Sequence, residues 1–423
     1  MINMTTDNEI LDAHKINHGK IEMVPKVMLE SKQDLSIHYT PGVAVVCNAI
    51  KNNKDLVYEY TNKGNLVGII SDGTRILGLG KIGPEAGLPV MEGKSVLFKR
   101  FGGVDAIPMC IGTTDEEEII KFVENISPTL GGINIEDIES PKSFRIVDKL
   151  TEKLDIPVLH DDQQGTAMVI LAGIINSLKL ANKDIKKVKF VINGAGSAGM
   201  GVVRLLKYAG INNIIVIDTH GSIYKGRTEG MNEYKEEIAD CTNPKKEKVD
   251  LKEAVKGADI LIGLSKPNVF TEDLIKSMAD KPIVFALANP VPEIDYETAK
   301  KAGAFIVATG RSDTPNQVNN LLGFPGIMRG LLDARAKKVT YSIIYNAALA
   351  LADAVGDKLS VDYILPTLEN HSESTKMFEK IAYAVAETAV NEDNSKIKDI
   401  NLIKKEISRN MERNVNLHKN RII

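Results

Sequence analysis

At 423 residues the chain is long enough for two or three domains. Its 43% hydrophobic and 26% charged fractions are those of a globular protein and exclude disordered and collagen-like classes. A net charge of −3, with Lys and Arg spread rather than clustered, argues against nucleic acid as a partner. Three cysteines, Cys47, Cys110 and Cys241, form no Cys-x-x-Cys pair, so neither a disulfide framework nor a thiolate metal site is expected. Reduced thiols in a cytoplasmic protein are the expectation. The acidic N-terminus carries no apolar signal region. The longest mostly apolar run, Met168 to Leu180, contains Asn176 and Lys179 and is too short to span a bilayer, so no membrane partner is expected.

In chain order, residues 66–79 read as a hairpin, with Leu66–Ile70 and Arg75-Ile76-Leu77 flanking Asp72-Gly73. Thr114 with Glu117 reads as a capping box opening a helix through about Asn125. A buried-strand pattern over 156–159 leads into Asp161-Asp162 and a long apolar helix from about Gly165. From 188 apolar strands recur at 188–192, 214–217, 260–263, 283–287 and 305–307, with helical patterns at 197–209, 271–278 and 295–301. This alternation predicts a doubly wound parallel sheet of the α/β class, with helices on both faces. After 330 only helices are expected, notably 342–355 and 373–391. The expected division is a smaller α/β domain over 1–160, for substrate and dimerisation, a dinucleotide-binding Rossmann domain over 161–335, and a helical segment over 336–423.

Gly194-Ala195-Gly196-Ser197-Ala198-Gly199 follows a strand and opens a helix. The first glycine permits the tight turn, the second admits a pyrophosphate to the backbone, and the third lets the helix pack on the strand. Asp218 ends the next strand, 19 residues past Gly199, where an acid accepts the adenosine ribose hydroxyls. An unpaired carboxylate beside a 2′-phosphate costs about 4 kcal/mol at about 4 Å in an effective dielectric of about 20. Asp218 therefore favours NAD, while Lys225 and Arg227, close behind it, keep NADP open.

Glu136 and Asp137 follow the apolar Gly132–Ile135, and Asp162 stands in His160-Asp-Asp-Gln-Gln-Gly165. Carboxylates at strand ends are hard oxygen ligands suited to Mg²⁺ or Mn²⁺. Several blocks, in order, resemble the malic enzymes: His38-Tyr-Thr-Pro-Gly-Val-Ala44, Asp72-Gly-Thr-Arg-Ile-Leu-Gly-Leu-Gly80, Leu88-Pro-Val-Met-Glu-Gly-Lys94, Asn134-Ile-Glu-Asp137, His160–Ala167, Gly194–Gly199, Ala288-Asn-Pro290 and Asn319–Gly326. They cover roughly 14–335 and look like the short prokaryotic type, which implies oxidative decarboxylation of malate to pyruvate and a homodimer or dimer of dimers.

The resemblance also implies roles. Glu136, Asp137 and Asp162 match the metal ligands, and Asp161 matches the carboxylate beside the last of them, counted with the catalytic groups as holding Lys94 or a water. Lys94 matches the base that takes the C2 hydroxyl proton, and Tyr39 the acid that protonates the enol carbon. Arg75 matches the arginine pairing with a substrate carboxylate. Asn289 and Asn320 match asparagines near malate and the nicotinamide ribose, and Thr166 joins the glycine-rich turn among the cofactor-binding positions. Lys94 acts as a base only when neutral, so desolvation and a nearby cation must lower its proton affinity. The alternatives on the same site are malolactic or oxaloacetate-decarboxylating activity. A non-catalytic nucleotide-binding regulator would lack these groups, and all are present. His14, His18, His38 and His160 read as structural.

Overall fold

The computed structural model describes residues 6–76 and 78–419, with side chains through residue 413. Four strands, β1 (Leu66–Ser71), β2 (Asp105–Cys110), β3 (Gly132–Ile135) and β4 (Val158–His160), form a parallel sheet in the order β2-β1-β3-β4. Every residue of β1 is buried, as expected of an inner strand in a parallel sheet. This overturns the expected hairpin. Ile76 bridges only Gly80, and Leu77 lies outside the described residues. The Asp72-Gly73 turn is real, but it leads out of the sheet. Thr74 donates to Asp72 Oδ1 from both its N–H and its hydroxyl, and Gly73, at φ +69°, lies so close to Gly83 that a Cβ would sit 2.3 Å from its carbonyl.

The capping box expected at Thr114 is also displaced. Asp115 is the N-cap of the helix Glu116–Ile126 and accepts from the Glu118 N–H at 2.9 Å.

The second sheet contains β5 (Phe190–Asn193), β6 (Ile214–Asp218), β7 (Gly221–Ser222), β8 (Ile260–Gly263), β9 (Ile283–Ala286) and β10 (Ile306–Thr309). Its order is β10-β9-β8-β5-β6-β7, parallel except for β7, which turns back on β6. Side chains alternate between two apolar layers. Phe190, Ile192, Val216 and Phe285 face the helices Thr166–Ala181 and Ser197–Tyr208, while Val191, Ile215, Leu261 and Val284 face Ala254, Phe270, Leu274 and Ala299. Consecutive strands run outward from β5 through β6 and then resume at β8 on its other side. The crevice between β5 and β8 is thus the topological switch point.

Residues 161–181, a π-helical turn running into an α-helix, are long and apolar enough to cross a membrane, yet 72% of that stretch is buried in this core. Asn176 fits there because its amide donates to the carbonyls of Ala352 and Ile364, both at 2.8 Å. The expected late helices form at Tyr341–Asp353 and His371–Asn391, followed by Ile400–Lys419.

The N-terminal helices differ from all of these. Asp7–Asn17, Lys32–His38 and Val43–Asn52 contain no buried residue, although the first two begin with complete capping boxes at Thr6 and Ser31. Met23, Met28, Leu35, Ile37 and Val45 are all exposed.

Candidate active site

A cleft of about 820 Å³ lies where the C-terminal ends of the two parallel sheets meet. Its acidic wall is set by strand ends. Glu136 follows β3, its N–H donating to Ile70 of β1 at 2.9 Å, and its Oε2 accepts from the Asn134 amide at 2.8 Å. Asp137 turns away in the left-handed region, φ 52°, and its N–H donates to Asp162 Oδ2 at 3.0 Å. Asp161 and Asp162 open the π-helical turn Asp161–Gly165 that joins β4 to the core helix. Glycine is required at 165, since a Cβ there would collide with Asp161 Oδ1 at 1.8 Å.

Lys94 reaches this wall from the helix Pro84–Gly102. Its ammonium contacts Asp161 Oδ2 and lies 2.8 Å from Glu136 Oε1 and 4.1 Å from the Phe324 ring centroid. Asn320 donates to the same Asp161 oxygen at 2.7 Å. Burial works against the Lys94 charge, but Asp161 and Glu136 outweigh it and hold the ammonium protonated. Burial pushes Glu136 well above the usual carboxylate range against the pull of Lys94, and the charges of Asp162, Asp161 and Asp137 push it further. Burial raises Asp161 too, against the pull of Lys94. The wall thus gathers more carboxyl groups than the single Lys94 ammonium can neutralise.

That excess, with donors that are all carboxylate oxygens, fits a hard divalent cation. Glu136, Asp137 and Asp162 all line the cleft. Among the described residues, no three acidic, histidine or cysteine side chains close into a metal cage. The arrangement is an open wall, consistent with a cation that also takes ligands from a substrate.

The opposite wall belongs to the switch-point crevice. Gly194 has φ +129°, and a Cβ there would meet the Leu264 carbonyl oxygen at 2.4 Å, while one at Gly199 would meet the Gly194 oxygen at 2.0 Å. Ala195 and Gly196 complete the turn, and Gly196 is the N-cap of the helix Ser197–Tyr208. Ser197, Ala198, Thr166 and Asn289 line the cleft, as does Arg75, whose Nη1 lies 3.5 Å from the Ser197 hydroxyl.

Glu293, unmarked by any sequence motif, holds this wall together. Fully buried, it accepts the Ser265 N–H on Oε1 and the Ala288 N–H on Oε2, both at 2.9 Å. It therefore ties the loops after β8 and β9, and Ser265 in turn accepts from the Asn193 amide at the end of β5 at 2.8 Å. Gly263 is the space that Glu293 fills: a Cβ there would stand 2.4 Å from Cδ. Two further supports also escaped the sequence reading. Lys142 pairs with buried Asp72 at 2.6 Å behind the Arg75 loop, and Lys20 donates to the Pro89 carbonyl at 2.7 Å and lines the cleft.

Two expected site residues stand elsewhere. Tyr39 is 66% exposed at the end of the helix Lys32–His38 and is not part of the cleft lining. Asp218 ends β6 as expected, but its carboxylate is engaged by Arg227 and Lys235, and Lys225 pairs instead with Asp240 at 2.9 Å. The histidines read as structural take no part. His160 is fully buried, and burial pushes its proton affinity down, while the His14 ring bonds the Ile10 carbonyl within its own helix.

Comparison with known proteins agrees with this division into two walls. Residues 18–151 match the family model of the malic enzyme N-terminal domain, and 163–390 match that of the malic enzyme NAD binding domain. The chain is 47% identical over 388 residues to a bifunctional malic/malolactic enzyme of Bacillus subtilis, covering 92% of this chain and 95% of that one. It is 49% identical over 372 residues to an NAD-dependent malic enzyme of Geobacillus stearothermophilus, covering 88% and 77%. The crystal structure of malic enzyme from Pyrococcus horikoshii superposes with a TM-score of 0.90 at 46% identity, covering 95% of this chain and 96% of that one. That of Entamoeba histolytica superposes at 0.91 with 42% identity, covering 97% and 87%. With both sheets, both walls and nearly the whole length accounted for, the chain belongs to the malic enzyme family.

Proposed function

We infer that this malic enzyme converts malate to pyruvate and carbon dioxide with reduction of a nicotinamide dinucleotide, and that it does so in the cytoplasm with Mg²⁺ or Mn²⁺. The observation that carries the reading is the buried Lys94 ammonium shared by Asp161 and Glu136, facing the dinucleotide wall across one cleft. Glu136, Asp137 and Asp162 would hold the cation, which would supply Lewis-acid chemistry at the substrate's C2 oxygen. The crevice at Gly194–Gly199 would hold the dinucleotide, which would supply a hydride acceptor beside the substrate.

The remaining steps belong to the protein. Lys94 takes the C2 hydroxyl proton once it has passed its own to the carboxylates beside it. Glu136, shared between Lys94 and the proposed cation site, would hold the ammonium less firmly with a cation bound, which would favour that transfer. Asp161, braced by Asn320, keeps the Lys94 amine aimed into the cleft. Arg75 pairs with a malate carboxylate, and Asn289 and Asn320 orient the substrate and the nicotinamide ribose. Tyr39 protonates C3 of the enol left after carbon dioxide departs.

Tyr39 is exposed on an apolar, unburied N-terminal arm, so the same reading includes a homodimer or dimer of dimers. In it, one chain's arm covers its partner and delivers Tyr39 to the partner's cleft. Initial rates with malate, NAD or NADP, and Mg²⁺ or Mn²⁺ against a chelated control test the reading. It predicts pyruvate and reduced dinucleotide in equal amounts and no turnover with chelator, and chelator-insensitive turnover overturns it. The similarity to a bifunctional malic/malolactic enzyme favours a second product on the same site. Lactate formed from malate without net dinucleotide reduction identifies it.

A further inference from the structure

Lys142 does for the first sheet what Glu293 does for the second. Its ammonium donates to Asp72 Oδ2 at 2.6 Å and to the Thr114 carbonyl at 3.1 Å. Lys142 opens the helix Lys142–Lys153, so one buried side chain ties the start of the helix after β3 to the loops that follow β1 and β2. Asp72, whose side chain is fully buried, passes the constraint on. Its Oδ1 accepts the Thr74 N–H at 3.0 Å and the Thr74 hydroxyl at 2.6 Å. The Thr74 oxygen in turn accepts the Glu139 N–H at 2.9 Å, and the Arg75 N–H donates to the Asp137 carbonyl at 3.1 Å.

Two residues of the cleft depend on this chain of bonds. Asp137 is held at φ 52°, a conformation that a non-glycine residue keeps only where its surroundings over-determine it. The Arg75 guanidinium reaches Ser197 at a long 3.5 Å, a weak hold, so its aim comes from the backbone that carries it. Lys142, Asp72 and Thr74 do not line the cleft and act on it through Arg75 and Asp137, which do. Lys142 and Asp72 are both buried, little screened by salt, and either ion left alone is strongly disfavoured, so the pair is a firm tie.

We propose that the Lys142–Asp72–Thr74 chain is a positioning device that locks the arginine loop to the metal turn, so that one rigid unit receives both the cation and the substrate carboxylate. The proposal rests on the assignment of Asp137 to the cation and of Arg75 to a malate carboxylate.

Asp72→Asn with Lys142→Met removes the pair without changing net charge near the cleft or leaving either ion alone, so a change in Mn²⁺ affinity reads geometry rather than field. Thr74→Val keeps nearly the same shape, cuts only the two bonds of the hydroxyl, and serves where the double variant does not fold. Mn²⁺ binding is read by electron paramagnetic resonance on the full chain without malate or dinucleotide, malate kinetics at saturating Mn²⁺, and NADH binding by fluorescence. In the double variant Mn²⁺ affinity should fall about tenfold and malate KM rise about tenfold, with kcat within about threefold and NADH affinity unchanged. Thr74→Val should move the same two quantities in the same directions by less. Unchanged Mn²⁺ affinity and malate KM overturn the proposal. A shift in one without the other overturns it too, because the two sites would then not be held as a unit. NADH affinity falling as far as Mn²⁺ affinity also overturns it and makes the pair an ordinary fold contact. Asp137→Asn with Mn²⁺ affinity intact, or Arg75→Lys with malate KM intact, instead removes the assignment on which the proposal rests.

Discussion

The acidic wall of the cleft and the N-terminal arm are opposite solutions to placing a catalytic side chain. Lys94 is buried among Asp161, Glu136 and Phe324, on a helix packed against the first sheet, so its position is fixed within one chain. Tyr39 lies between the helix Lys32–His38, which opens with a capping box, and Val43–Asn52, which has no side-chain cap, and neither helix contains a buried residue. Capping contributes about 1 kcal/mol per cap, which starts a helix but does not hold a short one in water. Burial of an apolar face supplies the rest, and for this arm the proposed dimer assigns that burial to a second chain. On the proposed reading, one chain builds the metal and dinucleotide walls and a second brings in the proton donor.

The largest expected effect falls on the cleft alone. Asp162→Ala removes one of three anionic oxygen donors, so Mn²⁺ affinity and malate turnover should both collapse, while NADH binding, set by the opposite wall, stays within about twofold. Metal titration with fluorescence-detected NADH binding checks this, and near-normal turnover in the variant removes the metal assignment. Next come the two proton-transfer groups, each worth about 10²–10⁴ in rate. Lys94→Ala should stall malate oxidation. Tyr39→Phe should still form enolpyruvate but lose exchange of pyruvate methyl protons with D₂O. Mixing the two variants, with subunit exchange verified, should restore roughly a quarter of the activity, because about half of the dimers are mixed and each has one intact site of two. No recovery would place both groups in one chain.

The arm itself gives a smaller effect. Leu35→Asp with Val45→Asp puts charge on its exposed apolar face. Sedimentation should show dissociation, and activity should fall about tenfold or more at dilute concentration, recovering as the protein is concentrated. Mn²⁺ and NADH binding should not change. A fully active monomer would sink the shared-site arrangement.

What the sequence revealed followed what each signal measures. Five strands of the second sheet were legible to within about two residues, since they are continuous apolar runs separated by helical spacing, while the short antiparallel β7 carried no such signal. The first was not. Apolar Leu66–Ser71 beside Asp72-Gly73 resembles a hairpin arm, and only its pairing with β2 and β3 shows otherwise. β2 itself hid behind Pro108, which is tolerated because β2 is the edge strand. Pro89 likewise interrupts the pattern of the helix that carries Lys94. Of the site, the acids and glycines were readable from position along strands. Lys235 and Glu293 were not, because neither belongs to a motif and the groups they hold, Asp218 for one and the Ser265 and Ala288 N–H groups for the other, are set by how the loops fold.

Glu293 offers the smallest and most selective effect. Its two oxygens each accept one N–H from a different loop of the dinucleotide wall, so the wall's geometry depends on a buried group with two acceptors. Glu293→Gln preserves shape but replaces one acceptor with an NH₂ donor, leaving Ser265 or Ala288 facing it. An unsatisfied buried donor costs about 1–3 kcal/mol. Burial already raises the Glu293 proton affinity, so removing the charge recovers part of that cost, and global stability should change little. The strain falls on the loops, which contact the dinucleotide side of the cleft and not the acidic wall. NADH affinity should therefore drop about tenfold, which is about 1.4 kcal/mol, with KM for the dinucleotide rising more than kcat falls. Mn²⁺ affinity should not move. If Mn²⁺ and NADH affinities fell together with the melting temperature, Glu293 would be an ordinary core contact rather than the tie between the two loops.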